Sequence, residues 1–165
     1  MTPKLRSALR VAAGTMAVAF VLTATTAGRG QSPAATPAPY RPGLGDLMTM
    51  TVQPRHVKLF AAGREQNWHY AAYELHELQE AFERVERVWP RWREIAIADT
   101  MDALIKGPVA SLEAAIKAGD AERFKAGYDE LTQACNACHQ GAARGFVVIQ
   151  VPDAAPFPDQ DFHPH

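Results

Sequence analysis

The sequence predicts an all-α protein, an up-down-up-down four-helix bundle with an extended C-terminal tail. Four amphipathic stretches joined by short connections predict the bundle, because helices linked in this way pack antiparallel to their neighbours. A change of pattern after Gly141 predicts the tail. We expect the bundle to span residues 43–144 and the tail residues 145–165. With 165 residues, 47% of them hydrophobic, the chain has the size of one domain.

The first 27 residues have the layout of a secretory signal peptide. Lys4, Arg6 and Arg10 form a positive region ahead of an apolar run over residues 11–22, and small residues follow up to Ala27. An uncleaved run would instead act as a single membrane anchor. We expect cleavage, export to the periplasm of a bacterium and no stable membrane insertion of the mature chain.

The charge of the chain indicates which classes of binding partner to expect. The chain has 17 basic and 18 acidic residues, and cleavage removes three basic residues and no acidic ones, which leaves 14 against 18, a net charge of −4. This balance argues against nucleic acid as a partner and favours a redox partner with a basic docking patch. Residues 28–42 contain four of the twelve prolines and predict a flexible, extended lead-in.

The first two helical segments differ in regularity. Segment A, about residues 43–62, contains Pro54, which either begins a second helical piece or kinks the helix. Segment B, about residues 67–89, begins at Asn67 as N-cap and ends before Pro90. Its apolar stripe consists of Trp68, Ala71, Ala72, Leu75, Leu78, Phe82, Val85 and Trp89. The solvated faces are expected to carry Glu74, Glu77, Glu80, Glu83 and Arg84.

The next two segments lead to the only cysteines of the chain. Segment C begins near Asp99 and ends at Gly119, with a bend expected at Pro108. Segment D begins at Asp120 as N-cap. Its stripe advances by four, three, four and three positions through Phe124, Tyr128, Leu131, Cys135 and Cys138. Both cysteines are therefore expected to face the interior of the bundle.

Residues 146–151, near the start of the tail, form a short apolar run rich in β-branched residues, which favours an extended backbone. A lone strand cannot stabilise itself. We therefore expect the tail to pack on the bundle or to cover something that the bundle exposes.

Residues 135–139 read Cys-Asn-Ala-Cys-His, the C-x-x-C-H signature for attachment of c-type haem. Thiols three positions apart on a helix project from one face, so they can form thioether bonds to the two vinyl groups of a porphyrin. The adjacent His139 then supplies the proximal iron ligand. We expect one covalent haem c, held by Cys135, Cys138 and His139.

Three other interpretations of the cysteine pair are weaker. A thioredoxin-type pair normally follows a strand in a βαβ context, and no such pattern precedes Cys135. A structural zinc site needs four ligands, usually from two such pairs, and the chain has one. A disulfide between Cys135 and Cys138 would be strained within a helix.

Through the haem motif and the preceding Phe124, Tyr128 and Leu131, the chain resembles the cytochrome c prime superfamily. Members of that superfamily are exported four-helix bundles with C-x-x-C-H near the end of the last helix. A closer similarity is to a group of small bacterial haem proteins. It is carried by Gly43-Leu44-Gly45-Asp46-Leu47-Met48, His56-Val57-Lys58-Leu59, Asn67-Trp68 and the haem motif. The chain departs from the superfamily in Pro54 and in the long tail that follows the last helix.

The resemblance directs attention to the sixth ligand of the iron. Low-spin members use a methionine of the first helix, whereas high-spin members leave the position open behind an apolar side chain. Segment A offers Met48, Met50 and His56. We favour Met48, the earliest of the three, although methionines at helical spacing are often core residues. Charged neighbours suggest that His56 lies in a solvated stretch, and Trp68 is a candidate to pack against the porphyrin.

The function expected from these features is an exported monohaem cytochrome that carries single electrons between periplasmic redox proteins. His/Met ligation raises the reduction potential and suits this role. The alternative is a protein that binds or senses nitric oxide or carbon monoxide at an open or displaceable sixth position. A peroxidase would need a distal acid-base residue, for which His56 is the only candidate, so we do not expect an enzyme. A homodimer stays open, because superfamily members often dimerise through the first two helices.

Overall fold

The computed structural model describes residues 39–154, 157 and 159–165. The predicted signal peptide and most of the predicted lead-in lie outside this part of the chain. The described residues confirm an all-α protein, in which the only strands are two short ones. None of the helices described is long and apolar enough to cross a membrane.

The helical elements follow the four predicted segments. They are α1 (Leu44–Leu47), a π-helical turn (Met48–Val52), α2 (Gln53–Arg64), α3 (Trp68–Val88), α4 (Ile97–Ala118) and α5 (Ala121–Gly141). Between α3 and α4, strands β1 (Arg91–Trp92) and β2 (Ile95–Ala96) pair antiparallel. The tail after α5 forms no strand in its described residues, although its composition favoured extended backbone.

The π-helical turn is explained by Pro54. A proline has no N–H for the carbonyl four residues earlier, and its ring crowds the preceding turn. In the turn, the Gln53 N–H donates to the Met48 carbonyl, a step of five residues instead of four. Pro54 therefore lies in the first turn of α2, one of the two outcomes that the sequence left open. Such turns often occur at functional sites.

The predicted ends of the helices are confirmed at three caps. The Asn67 side chain accepts a hydrogen bond from the Tyr70 N–H at 3.2 Å, and the Asp120 side chain accepts one from the Arg123 N–H at 3.0 Å. Gly119 ends α4 with a left-handed backbone, φ 65°, which glycine adopts without a steric penalty. Each cap satisfies backbone groups that a helix end leaves without partners.

The core lies between the four longer helices. α2 packs against α3, α3 against α4 and α4 against α5, and α2 also contacts α5. The large hydrophobic side chains that are fully buried are Leu59, Leu75, Leu78, Val85, Leu112, Tyr128 and Leu131. Gly63 allows α5 to approach α2 closely, because the ring of Phe124 occupies the place that a side chain at position 63 would take.

Glu74 is buried, which corrects the prediction that it lies on a solvated face. Its exposed fraction is 1%, and Arg55 on α2 donates to its carboxylate at 3.2 Å. A second nitrogen of Arg55 lies 3.0 Å from Glu77. Position 74 is three after Ala71 and four before Leu78, so it lies on the apolar stripe of α3. A charge buried there requires a partner, and α2 supplies it.

The far end of the tail packs on the start of α3. Phe162 is 6% exposed and stacks on Tyr70, with ring centroids 5.5 Å apart. The Asn67 side chain donates to the His163 carbonyl at 2.9 Å, and Gln160 donates to the Tyr70 hydroxyl at 3.2 Å. Asn67 thus caps α3 with its oxygen and holds the tail with its nitrogen.

Candidate functional site

A cavity of about 510 Å³ lies at the C-terminal end of α5, within the size range of ligand and cofactor sites. Its wall includes the two cysteines and the histidine of the C-x-x-C-H motif, Cys135, Cys138 and His139. The rest of the wall is mostly apolar and comes from α1, the π-helical turn, α2, α3, α4 and the tail. Representative side chains are Met48, Val52, Phe82, Ile105, Val147 and Ile149.

Both cysteines are free thiols. Burial, with a smaller contribution from Cys138, raises the pKa of Cys135 to about 11. Burial also raises the pKa of Cys138. Reactive pairs of the thioredoxin type have lowered pKa values. Because both pKa values are raised, both thiols stay protonated at neutral pH. This argues against a redox-active dithiol.

His139 is held by the tail. Its Nδ1 lies 2.8 Å from the backbone carbonyl oxygen of Val147. Because a carbonyl can only accept, we assign the ring proton to Nδ1, which leaves the lone pair on Nε2. Histidines that bind metals usually donate their other ring N–H to a carbonyl or carboxylate in this way. The donor set therefore fits a haem iron bound through Nε2.

The structure distinguishes the two methionines proposed as sixth ligands. Met48 is half-buried and lines the cavity at the junction of α1 and the π-helical turn. Met50 is 75% exposed and is not part of the cavity wall. A third methionine, Met101 in the first turns of α4, is 3% exposed and also lines the cavity. Met101 begins the apolar stripe of segment C, and this helical spacing by itself predicts a core residue and not an iron ligand.

His56 lies in the core and not in a solvated stretch as expected. Its exposed fraction is 5%, its Nδ1 lies 2.8 Å from the Tyr128 hydroxyl, and its Nε2 lies 3.2 Å from the Thr132 hydroxyl. The charged neighbour Arg55 turns away to pair with carboxylates of α3. Burial lowers the pKa of His56 to about 4. Although His56 borders the cavity, both of its nitrogens are engaged by α5.

We expect acid to destabilise the protein through His56. The unfolded imidazole has a pKa near 6.5, whereas burial lowers the folded pKa to about 4. Between these values the unfolded state binds the extra proton, so the free energy of unfolding falls as the pH falls through this window. The shift corresponds to about 3 kcal/mol. Urea unfolding at a series of pH values measures this decrease in the free energy of unfolding.

Two variants isolate this contribution. His56→Gln removes the titrating group, and its unfolding free energy should change less with pH than that of the wild type. His69→Gln replaces an exposed histidine and should keep the wild-type dependence. An equal slope in His56→Gln and the wild type between pH 6.5 and 4 would contradict the assignment.

Trp68, the candidate to pack against a porphyrin, is not among the residues that line this cavity. It packs edge-on against Phe124 with centroids 5.9 Å apart, near the start of α5. Phe124 precedes Cys135 by eleven residues, about 16 Å along a helix. Trp68 instead lines a second, more open groove of about 740 Å³ between α3 and α4, whose wall contains neither cysteine.

Residues outside the predicted helices complete the cavity wall. Trp92 comes from β1 and Arg144 from the start of the tail, and the Arg144 guanidinium lies 4.8 Å from the centre of the Trp92 ring. Phe146 adds a further aromatic side chain. None of the three lies in a segment with a helical period, so the apolar stripes of the helices did not point to them.

In the part of the chain that the structure describes, no three His, Cys, Asp or Glu side chains are grouped so as to hold a metal ion. Comparison with protein-family models, curated proteins and solved structures finds no match to this chain.

Proposed function

We propose that this protein is an exported monohaem c-type cytochrome that carries single electrons between periplasmic redox proteins. The proposal includes an up-down-up-down arrangement of the four longer helices and membership of the cytochrome c prime superfamily. Export rests on the signal-peptide pattern of residues 1–27. The acidic mature chain suits partners with a basic docking surface.

One observation carries the proposal: a mostly apolar cavity brings together the thiols of Cys135 and Cys138 and the imidazole of His139, whose Nδ1 is engaged by the Val147 carbonyl so that Nε2 is left for iron. Cys135 and Cys138 would each add across one vinyl group. The sulfur forms the carbon–sulfur bond and the thiol hydrogen goes to the neighbouring carbon, so the step needs no oxidant. His139 would bind iron through Nε2. When bound, the haem supplies a one-electron Fe(III)/Fe(II) couple.

The position of Met48 supports an electron carrier more than a gas-binding protein. A thioether is the axial ligand that, with histidine, raises the reduction potential of a c-type haem, and Met48 lines the same cavity as His139. Catalysis of the peroxidase type is not part of the proposal. The distal base that it would need, His56, is neutral but hydrogen-bonded to Tyr128 and Thr132.

Met48→Ala tests the ligand, and Met50→Ala is its matched control. We expect the wild type and Met50→Ala to have six-coordinate iron in both oxidation states, because exposed Met50 lies outside the cavity wall. Met48→Ala should lose the sixth ligand, become five-coordinate when reduced and bind carbon monoxide rapidly. Optical and magnetic circular dichroism spectra, with stopped-flow mixing with carbon monoxide, measure both effects.

The same measurements separate the alternatives. Rapid carbon monoxide binding by the wild type would overturn the electron-carrier proposal in favour of the gas-binding one. Six-coordinate iron in Met48→Ala would contradict the assignment of Met48 and direct the search to Met101.

A further inference from the structure

The motif residue Asn136 makes two hydrogen bonds that haem attachment does not require. Its side-chain nitrogen donates to the Ile149 carbonyl at 2.8 Å, and its side-chain oxygen accepts from the Ile149 N–H at 2.7 Å. The amide thus pairs with both backbone groups of one tail residue, as a neighbouring strand would. This pairing fixes the tail thirteen residues further along the chain.

The tail segment of residues 144–149, here called the strap, is attached to α5 at three points. At its start, the Arg144 N–H donates to the His139 carbonyl at 2.7 Å. At its end, Ile149 pairs with Asn136. Between them, the Val147 carbonyl accepts from His139 Nδ1 at 2.8 Å. The bond to the imidazole is therefore held in place by the anchors on either side of it.

Burial contributes little to holding the strap. Phe146 is 78% exposed, Val148 71% and Val147 42%, and Ile149 is the one apolar side chain of the strap that is half-buried. Hydrophobic stabilisation scales with the area removed from water. The two hydrogen bonds of Asn136 are thus the main specific attachment at the end of the strap.

We propose that Asn136 is a positioning residue that lowers the reduction potential of the haem by holding the Val147 carbonyl on His139 Nδ1. This inference rests on the proposed function. A hydrogen bond donated from Nδ1 makes the imidazole a stronger base at Nε2. A more basic ligand stabilises Fe(III) relative to Fe(II), so the potential falls. Loss of Asn136 releases the strap and reverses the effect.

The sign of the change distinguishes this role from simple covering. A strap that only excluded water would, on removal, expose the haem to solvent, which stabilises the more highly charged Fe(III) and lowers the potential. A strap that strengthens the imidazole as a base does the opposite on removal, since the weaker base raises the potential.

The test uses the haem-bearing protein with Asn136→Ala and with Asn136→Leu, which keeps the side-chain volume but has no polar atoms. Both are expected to shift the Fe(III)/Fe(II) equilibrium towards Fe(II) by about tenfold, which is about 59 mV for a one-electron couple. Exchange of the Ile149 amide and of the His139 Nδ1 proton, followed by NMR in the reduced state, should accelerate. Gln133→Ala replaces an exposed residue of the same helix and should match the wild type.

An unchanged or lowered potential in the haem-bearing Asn136 variants would overturn the positioning role, even if the Ile149 amide exchanged faster. That outcome would leave the proposed function intact, because the haem would still be attached. Wild-type protein without covalent haem would overturn the proposed function and this inference with it. The two failures are read from different measurements on the same samples.

Discussion

The double variant Cys135→Ser/Cys138→Ser is expected to abolish covalent attachment of haem. Both thiols line the cavity beside His139, and each forms one thioether in the proposed function. The wild type, expressed with its export signal in a host that attaches haem c, should keep its red colour in the protein fraction after acidified-acetone extraction. The double variant should lose all of it, and each single variant should retain one thioether.

Ala137→Ser is the control for this experiment, because it alters an exposed position inside the motif without removing a thiol. It should retain haem as the wild type does. The pyridine haemochrome spectrum reports the number of thioethers, since each unreacted vinyl group shifts the band to longer wavelength. A colourless wild type, or a double variant that retains extraction-resistant haem, would contradict the prediction.

Gly63→Ala is expected to destabilise the protein by about 3 kcal/mol, at the upper end of the range for overpacking. An added Cβ would lie 2.1 Å from two ring atoms of Phe124. The ring cannot move freely, because it is 3% exposed and packs between Trp68 and Tyr128. The free energy of unfolding in urea measures the loss.

Two further variants show whether this contact is the cause. Gly107→Ala, at an exposed position of α4 outside the cavity wall, places its Cβ in open space and should leave stability unchanged or slightly raised, since alanine favours helix more than glycine does. Combining Gly63→Ala with Phe124→Leu should cost less than the sum of the two single changes. Additive costs would instead locate the effect of Gly63→Ala elsewhere.

A steric effect at Gly63 would also reach the cavity. Phe124 stacks on Tyr128 with centroids 6.1 Å apart, and Tyr128 holds the His56 ring through its hydroxyl. Burial raises the pKa of Tyr128, so the hydroxyl stays protonated and available for this bond. The packing of α2 on α5 and the position of His56 therefore depend on the same aromatic column.

Local patterns in the sequence were sufficient to predict the helices. The period of the apolar residues predicted α3, α4 and α5, and the caps at Asn67 and Asp120 were confirmed. The same period placed Cys135 and Cys138 on the inner stripe of the last helix, and both line the cavity. These features depend on residues a few positions apart, so helical geometry alone relates them.

The two wrong predictions of solvent exposure have a common cause. Local sequence predicts Glu74 on a solvated face and His56 in a solvated stretch, yet both are buried. Their partners, Arg55 for the carboxylate and Tyr128 and Thr132 for the imidazole, come from other helices. A polar side chain enters a core only when such a partner is present, and local sequence does not show which residue of another helix will supply it.

The sequence by itself determined the helical class and the three residues proposed to hold haem, because Cys135, Cys138 and His139 lie within five consecutive residues of one helix. The tertiary structure alone decided what surrounds them. It brought Met48 and Met101 to the cavity, left Met50 in solvent, and placed the Val147 carbonyl on the His139 ring. Met48 and Met101 are far from the haem motif in the chain, and the Val147 carbonyl belongs to a non-helical segment that folds back on α5, so these positions depend on how the helices and the tail pack together.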